Sequence, residues 1–437
     1  MARKRTYPPL NIFLNGRLVG RLTKAPSGAI DFRYDQSWLE WEHTFPVSLS
    51  LSLREDRYVG APVIAVFDNL LPDNDDIRRQ VAEQASAEGT DAFSLLAAIG
   101  RDCAGALQFL PEGATPGPAG EIDGDPVDDA HIARIIAELN AAPLGIRKDR
   151  AFRISIAGAQ QKTALLFWKD KWHIPRSSTA TTHILKPQIG VRSDGVDLSR
   201  SVENEHLCMK LTEALGLAVA KTEIADFEDR RVLVVERFDR TWTRDNRLLR
   251  LPQEDCCQAL SVPPTLKYQS DGGPGIRDLL ELFKASDHPE KDLAAVLKAQ
   301  IIFWLIGATD GHAKNFSIFL STGGGFEVTP LYDVMSAQPL FDTHQVRQND
   351  LKLAMSVGHN RHCVLSTIQP RHFFQTAEAA RLPAKTVELI LSELRERIPI
   401  AVEEVTARLP PGFPEAIRDS IVSGIEQRIR FIETAGA

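Results

Sequence analysis

The side chains that could do chemistry crowd into one stretch, residues 303–336. An apolar run at 301–306 stops at Gly307, Ala308 and Thr309, and Asp310, His312, Lys314 and Asn315 follow in close order. Two short β-like runs come next, 316–320 and 326–329, joined by Gly323, Gly324 and Gly325, and then Asp333. The D-x-x-x-x-N spacing of Asp310 and Asn315 is that of a phosphoryl-transfer loop. In such a loop the carboxylate faces the attacking hydroxyl and the amide oxygen faces a metal. A hairpin can then return a second carboxylate, Asp333, to the same metal. Mg²⁺ takes oxygen ligands and few protein groups beside phosphate, so one Asn and one Asp suffice. Asp and Asn also favour plain turns, and Asp333 also suits a helix cap. The order of buried helix, Asp and Asn, hairpin and second Asp is what tilts the reading towards phosphoryl transfer.

Length and composition bound what must position these groups. A chain of 437 residues exceeds one ordinary core, so two or three domains are expected. A hydrophobic share of 43% with 25% charged residues is ordinary for a soluble globular protein. The formal charge of −7 argues against broad nucleic-acid coating by this chain alone. Cys103, Cys208, Cys256, Cys257 and Cys363 form no C-x-x-C pair, which suggests reduced thiols rather than a disulfide frame. The basic start lacks an apolar h-region, and no apolar run approaches the roughly 20 residues that span a bilayer. A cytoplasmic protein is expected.

The elements fall in a readable order. Leu10, Ile12 and Leu14, an Asn15-Gly16 turn, then Ile30, Phe32 and Tyr34, and Leu49, Leu51 and Leu53, alternate as strands do. Helices are expected at 75–85 and 92–99, completing a β-rich module over 1–110. Residues 111–130, rich in Pro, Gly and acids, read as an exposed linker. An α/β lobe over 131–252 then opens with a helix carrying Ile132, Ile135, Ile136 and Leu139. Runs at 152–156 and 163–168 flank a turn containing Gly158. That turn suits either a lid over phosphates or a plain hairpin. A third strand, 182–186, ends in Lys186, either a phosphate contact or an exposed lysine on an edge strand. Glu203 or Glu205, on a helix over 201–215, could pair with Lys186 or merely suit the helix dipole. A buried strand turns polar at Glu236, Arg237 and Phe238, where adenine could meet backbone groups. Residues 253–437 read as a helical lobe, with apolar stripes at Val387, Ile390, Leu391, Leu394, Ile398 and from Ile417 to Ile432. His359 and His362 lack the helical spacing of a zinc site.

Several longer stretches, taken in order, carry a resemblance: FRISIAGAQQKTALL, THILKP, SVENEH, VERFDR, RLPQEDCCQAL, KYQSDGGPGI, and WLIGATDGHAKNFSIF followed by VTPLYDVMS. Across nearly its whole length the sequence resembles the HipA family of bacterial toxin serine/threonine kinases, the kinase half of a toxin–antitoxin pair. The resemblance implies an α+β, kinase-like two-lobe fold with an extra N-terminal β-rich subdomain and an all-helical C-terminal lobe. It implies ATP and Mg²⁺ as cofactors, Asp310 as the catalytic aspartate, and Asn315 and Asp333 as the metal ligands. Lys186 would contact the ATP phosphates. Ile156, Ala157, Gly158, Ala159, Gln160, Gln161 and Lys162 would form the phosphate loop, with Glu236, Arg237 and Phe238 as the adenine hinge. His312, Lys314 and Tyr332 join the nucleotide site. The His two after the Asp resembles the D-x-H-x-x-N loop of phosphoinositide kinases, and His312 either touches the γ-phosphate or braces the loop. Ser155 matches the family's autophosphorylated serine, whose phosphorylation would expel the phosphate loop by charge repulsion. The implied partners are a HipB-type DNA-binding antitoxin, operator DNA through it, and a protein substrate for which glutamyl-tRNA synthetase is a candidate. Two rival readings stand beside this one. The first is a non-enzymatic corepressor that strengthens an antitoxin's operator binding. The second is a lipid or small-molecule kinase, whose lipid form is disfavoured by the lack of a basic membrane-binding face.

Overall fold

The computed structural model describes residues 7–147, 152–158 and 160–434, and the chain divides into two compact units. The first comprises residues 1–187, 225–265 and 318–326, and the second residues 188–224, 266–317 and 327–437.

The first unit begins with a five-stranded sheet in the order Tyr58–Val59, Ile30–Tyr34, Arg17–Lys24, Leu10–Leu14, Leu107–Pro111. Asn15 and Gly16 both take positive φ, 45° and 84°, which is the twist a two-residue hairpin turn requires. Alternation puts Ile12, Leu22 and Phe32 on the inner face, where they are fully buried with Trp38 and Phe109. The helices Asp75–Ala85 and Ala92–Ile99 form where expected, with Asn74 and Asp91 accepting from their first-turn amides. The alternation at Leu49, Leu51 and Leu53 does not make a strand. There the backbone groups are taken by side chains: Leu49 N donates to Glu254 Oε1 at 2.8 Å, and Tyr34 Oη donates to Leu51 O. Burial pushes the Glu254 carboxyl up to about 8.

A second sheet in this unit runs Arg230–Glu236, His183–Pro187, Thr163–Trp168, Lys171–Pro175, Gly124–Val127. The helix Asp129–Glu138 covers it, and Ile132, Ile136 and Leu139 pack on Leu165, Leu185, Val232 and Val234. Residues 111–130 are exposed or half-exposed along their length, yet Gly124–Val127 pairs with Lys171–Pro175 as the sheet's edge. Residues 152–156 do not form a strand. Ser155 makes a single parallel bridge to Cys103 instead.

In the second unit the helix Pro289–Ile306 is the centre. It opens with Pro289 at N1 and acids in its first turn, and it is buried on every side from Val296 to Ile306. The helices Ile276–Phe283, Ala384–Thr406 and Glu415–Thr434 pack on it. Ser201–Ala214, read from the sequence as amphipathic, is buried through Met209, with Glu203 and Glu205 inside. No helix among the described residues is long and apolar enough to cross a membrane.

The first unit also holds a buried ionic cluster. Asp102 receives Arg240 Nη2 at 2.9 Å and Arg250 Nη2 at 2.9 Å, and Arg237 Nη1 lies 3.4 Å away. Arg237 also bonds Asp239 at 2.8 Å, and Asp239 accepts from Gly105 N at 2.7 Å. Burial alone would raise the Asp102 carboxyl, but the guanidiniums of Arg240, Arg250 and Arg237 outweigh it and hold the group well below the carboxylate range. Truncating Asp102 leaves buried guanidiniums without their shared carboxylate. Asp102→Ala is therefore expected to cost about 3–5 kcal/mol at neutral pH. Because the folded value is depressed, this contribution is full above the unfolded value of ~3.9 and is lost progressively as pH falls from there towards the folded value. Urea unfolding of both proteins at pH 7 and below pH 4 checks this: the gap between them should narrow in acid.

Candidate active site

The loop that carries Asp310 begins at a helix cap. Gly307 ends the Pro289–Ile306 helix at φ +73°, a left-handed conformation that suits glycine, and Ala308 N donates back to Phe303 O at 2.8 Å. Gly311 lies flat on that helix, since a Cβ there would come within 2.4 Å of the Phe303 ring. The chain then folds on itself, with His312 N on Asp310 O at 2.8 Å and Asn315 N on His312 O at 2.9 Å. Asp310 is exposed, and its Oδ1 accepts from Tyr268 Oη at 2.7 Å. His312 is buried, with its ring edge-on to Tyr268 at 4.8 Å. Lys314 and Asn315 are buried too. Asn315 Oδ1 is buried and has no hydrogen-bond partner among the described residues.

The segment bearing Asp333 is tied to this loop at both ends. At one end, Tyr332 Oη donates to Lys314 O at 2.8 Å and lies 2.6 Å from Ser317 Oγ, so it brackets Asn315. At the other, Ala308 and Ser336 form an antiparallel bridge, Ser336 Oγ donates to Ile306 O at 2.6 Å, and Ala337 N donates to Gly307 O at 2.8 Å. Asp333 sits between these ties, exposed, at φ +61°, and starts no helix. Asp310, His312, Lys314, Asn315, Tyr332 and Asp333 are thus brought together within the second unit.

The other expected site residues belong to the first unit. Lys186 is not on an edge. Its strand is central, paired with Leu233 in register, and the side chain is buried. The loop at 156–162 is anchored by Asp73 N on Gly158 O at 3.3 Å and by Gln160 Nε2 on Pro187 O at 3.1 Å. Lys162 Nζ donates to Ala157 O at 2.7 Å, inside the loop, where a Cβ on Gly158 would meet it at 2.4 Å. Ile156 is buried, Ala157 and Gln161 are half-buried, and Ala159 lies outside the described residues. Ser155 is fully buried, with Oγ donating to Leu70 O at 2.7 Å and N to Asp102 O at 2.9 Å. Glu236 ends its strand, exposed, and Phe238 stands edge-on to Phe319 at 5.9 Å. The Arg237 guanidinium is committed to the Asp102 and Asp239 cluster, and its N donates to Thr182 O at 2.8 Å. In the second unit, Glu203 Oε2 accepts from Gln188 Nε2 at 2.6 Å.

The profile of the HipA N-terminal domain matches residues 10–110, and that of the HipA-like C-terminal domain matches residues 154–402. The Y4mE protein of Sinorhizobium fredii is 39% identical over 357 residues, 81% of each chain. The chain belongs to the HipA family. Among HipA relatives, the serine/threonine-protein kinase toxin HipA of Shewanella oneidensis is 29% identical, covering 97% of this chain and 96% of that one. A solved Shewanella oneidensis structure, of HipA with HipB and its operator DNA, superposes with a TM-score of 0.80 at 26% identity. It covers 97% of this chain and 98% of that one. By membership this HipA-family chain is classed with the protein kinases, and its mixed helix and sheet architecture is kinase-like.

Three residues around the HipA-family loop were not singled out from the sequence. Asn204 forms a two-way amide pair with Ser336, at 2.8 and 2.9 Å. Arg428 is buried; its Nε donates to Leu305 O at 2.9 Å and its Nη1 to Gln338 Oε1 at 3.0 Å, so it clamps both segments. Tyr268 stood in a quoted motif but had no role. Arg428→Met keeps the length and loses two bonds from a charged donor, each worth about 1.5–3 kcal/mol. Its thermal midpoint and its phosphoryl-transfer rate should both fall; calorimetry beside a transfer assay reads both.

Proposed function

We propose that the chain is an ATP- and Mg²⁺-dependent serine/threonine protein kinase, acting as the toxin half of a toxin–antitoxin pair. The observation that carries this reading is Asn315 Oδ1, a buried oxygen without a hydrogen-bond partner among the described residues, on a loop pinned to the segment of Asp333. An unfilled buried acceptor costs about 1–3 kcal/mol, and a hard cation satisfies it. Asn315 Oδ1 and the Asp333 carboxylate are the groups that would hold Mg²⁺. Among the described residues no cluster of three or more His, Cys, Asp or Glu offers a rival cage. When bound, the ion neutralises charge on the triphosphate.

This chain's own residues do the remaining work. Asp310, exposed at the loop's start, receives the proton of the acceptor hydroxyl. His312, buried against Tyr268, braces the loop. Tyr332 supports Lys314 through its carbonyl. In the first unit, the buried ammonium of Lys186 and the loop at 156–162 are the groups offered to phosphate. Glu236 and Phe238 serve adenine beside the backbone of Arg237. Ser155 is read as the autophosphorylation site. A phosphoryl group of about −1.5 to −2 charge cannot take the place of a hydroxyl that is fully buried on Leu70 O, so modification displaces the segment and the loop after it.

The partner reading follows the relative solved with HipB and operator DNA. A HipB-type antitoxin restrains this chain and carries it to DNA, which suits a formal charge of −7. That relative also favours a corepressor role, which adds to kinase activity rather than replacing it. Glutamyl-tRNA synthetase is the candidate target.

Asp310→Asn should lower phosphate transfer from labelled ATP to protein at least about 100-fold while nucleotide binding persists. Transfer at the wild-type rate by that variant would overturn the role given to Asp310.

A further inference from the structure

Tyr268 lies in KYQSDGGPGI, a stretch that carried family resemblance and no chemistry. Its hydroxyl donates to Asp310 Oδ1 at 2.7 Å, and its ring meets His312 at 4.8 Å and 79°. The tyrosine is itself held in place. Its carbonyl accepts from Asp271 N at 3.1 Å and Gly273 N at 3.0 Å. Gly272 sits at φ +93°, and a Cβ on Gly273 would fall 1.7 Å from Leu266 O, so the turn closes only with glycine there. Beyond the turn, Gln269 Oε1 accepts from Ser356 N at 2.7 Å, and Gly275 N donates to Asp278 Oδ2 at 2.8 Å at the start of the next helix. The donor on Asp310 therefore comes from a closed, doubly anchored loop.

An exposed aspartate left to itself samples several staggered rotamers, and most of them point its carboxylate away from any one acceptor. A general base must meet its proton within hydrogen-bond reach, so lost orientation is lost rate. A carboxylate oxygen that accepts from a fixed phenol holds the whole group in one orientation.

We propose that Tyr268 is a positioning residue for phosphoryl transfer, holding the Asp310 carboxylate in the orientation that receives the proton of the acceptor hydroxyl. The inference rests on the reading of Asp310 as the group that receives the acceptor's proton. In the step, the acceptor oxygen bonds to the γ-phosphorus as the bond to the ADP oxygen breaks. The acceptor's proton passes to Asp310, and Tyr268 keeps its own.

The test uses the full-length chain with Tyr268→Phe, which retains the ring against His312. The acceptor is a second copy bearing Asp310→Asn, and the donor is γ-labelled ATP. The expected result is a kcat lower by about tenfold, below the roughly 10²–10⁴ of losing a base, with KM for ATP and for the acceptor copy unchanged. Within an Asp310→Asn enzyme, Tyr268→Phe should lower the residual rate no further, because the two residues act as one unit. An unchanged kcat, or the same loss in the Asp310→Asn background, would overturn the positioning role. If the wild-type chain transferred no phosphate at all, the reading of Asp310 beneath it would be what had failed.

Discussion

The constraint on which the second unit's site depends is the pairing of two chain segments that lie far apart in sequence. Ser336 reaches back to Ile306 O through its hydroxyl and to Ala308 through its backbone, while Tyr332 reaches Lys314 and Ser317. Between these ties, three oxygen-bearing side chains have little freedom to part. The ties combine backbone pairing at Ala308 and Ser336 with hydroxyl bonds from Ser336 and Tyr332. Asn204 and Arg428 reinforce the same junction from two further helices. The positive φ of Asp333 fits this picture: a non-glycine residue stays in a sparsely populated conformation where its surroundings over-determine it.

The Asp102 cluster and the Asn315 loop treat buried polar groups differently. In the first, Asp102 and Asp239 are matched by arginines and backbone donors, so the cluster is saturated and suited to holding segments distant in sequence. In the second, Asn315 Oδ1 has no hydrogen-bond partner among the described residues. A saturated cluster stabilises a fold, whereas an unfilled acceptor invites a ligand.

Much of this was legible in the sequence because its signals are local. The 289–306 helix, its glycine stop and the hairpin after Asn315 depend on residues near one another, and the structure has them close to where periodicity places them. The failures all involve distant partners. Alternation at 49–53 reads as a strand, but Glu254 and Tyr34 intercept its backbone. Residues 152–156 look like a strand until Asp102 and Leu70 take the amide and hydroxyl of Ser155. Arg237 looked available at a strand exit, yet its side chain turns into a cluster built partly from Asp102, 135 positions earlier. The helix 201–214 looked amphipathic because its acids and amide read as surface groups. They are instead buried, with Asn204 paired to Ser336 and Glu203 to Gln188. Periodicity reports which face is apolar; it does not report which polar side chains find partners inside.

The central claim is that Asn315 and Asp333 hold the metal that brings ATP to Asp310. Crystals of the chain grown with Mn²⁺ and a non-hydrolysable ATP analogue test it most directly, through the anomalous signal of the ion. The account predicts a peak roughly 2.0–2.2 Å from both Asn315 Oδ1 and the Asp333 carboxylate. A peak on other ligands, or bound analogue with no peak at these two side chains, would contradict it.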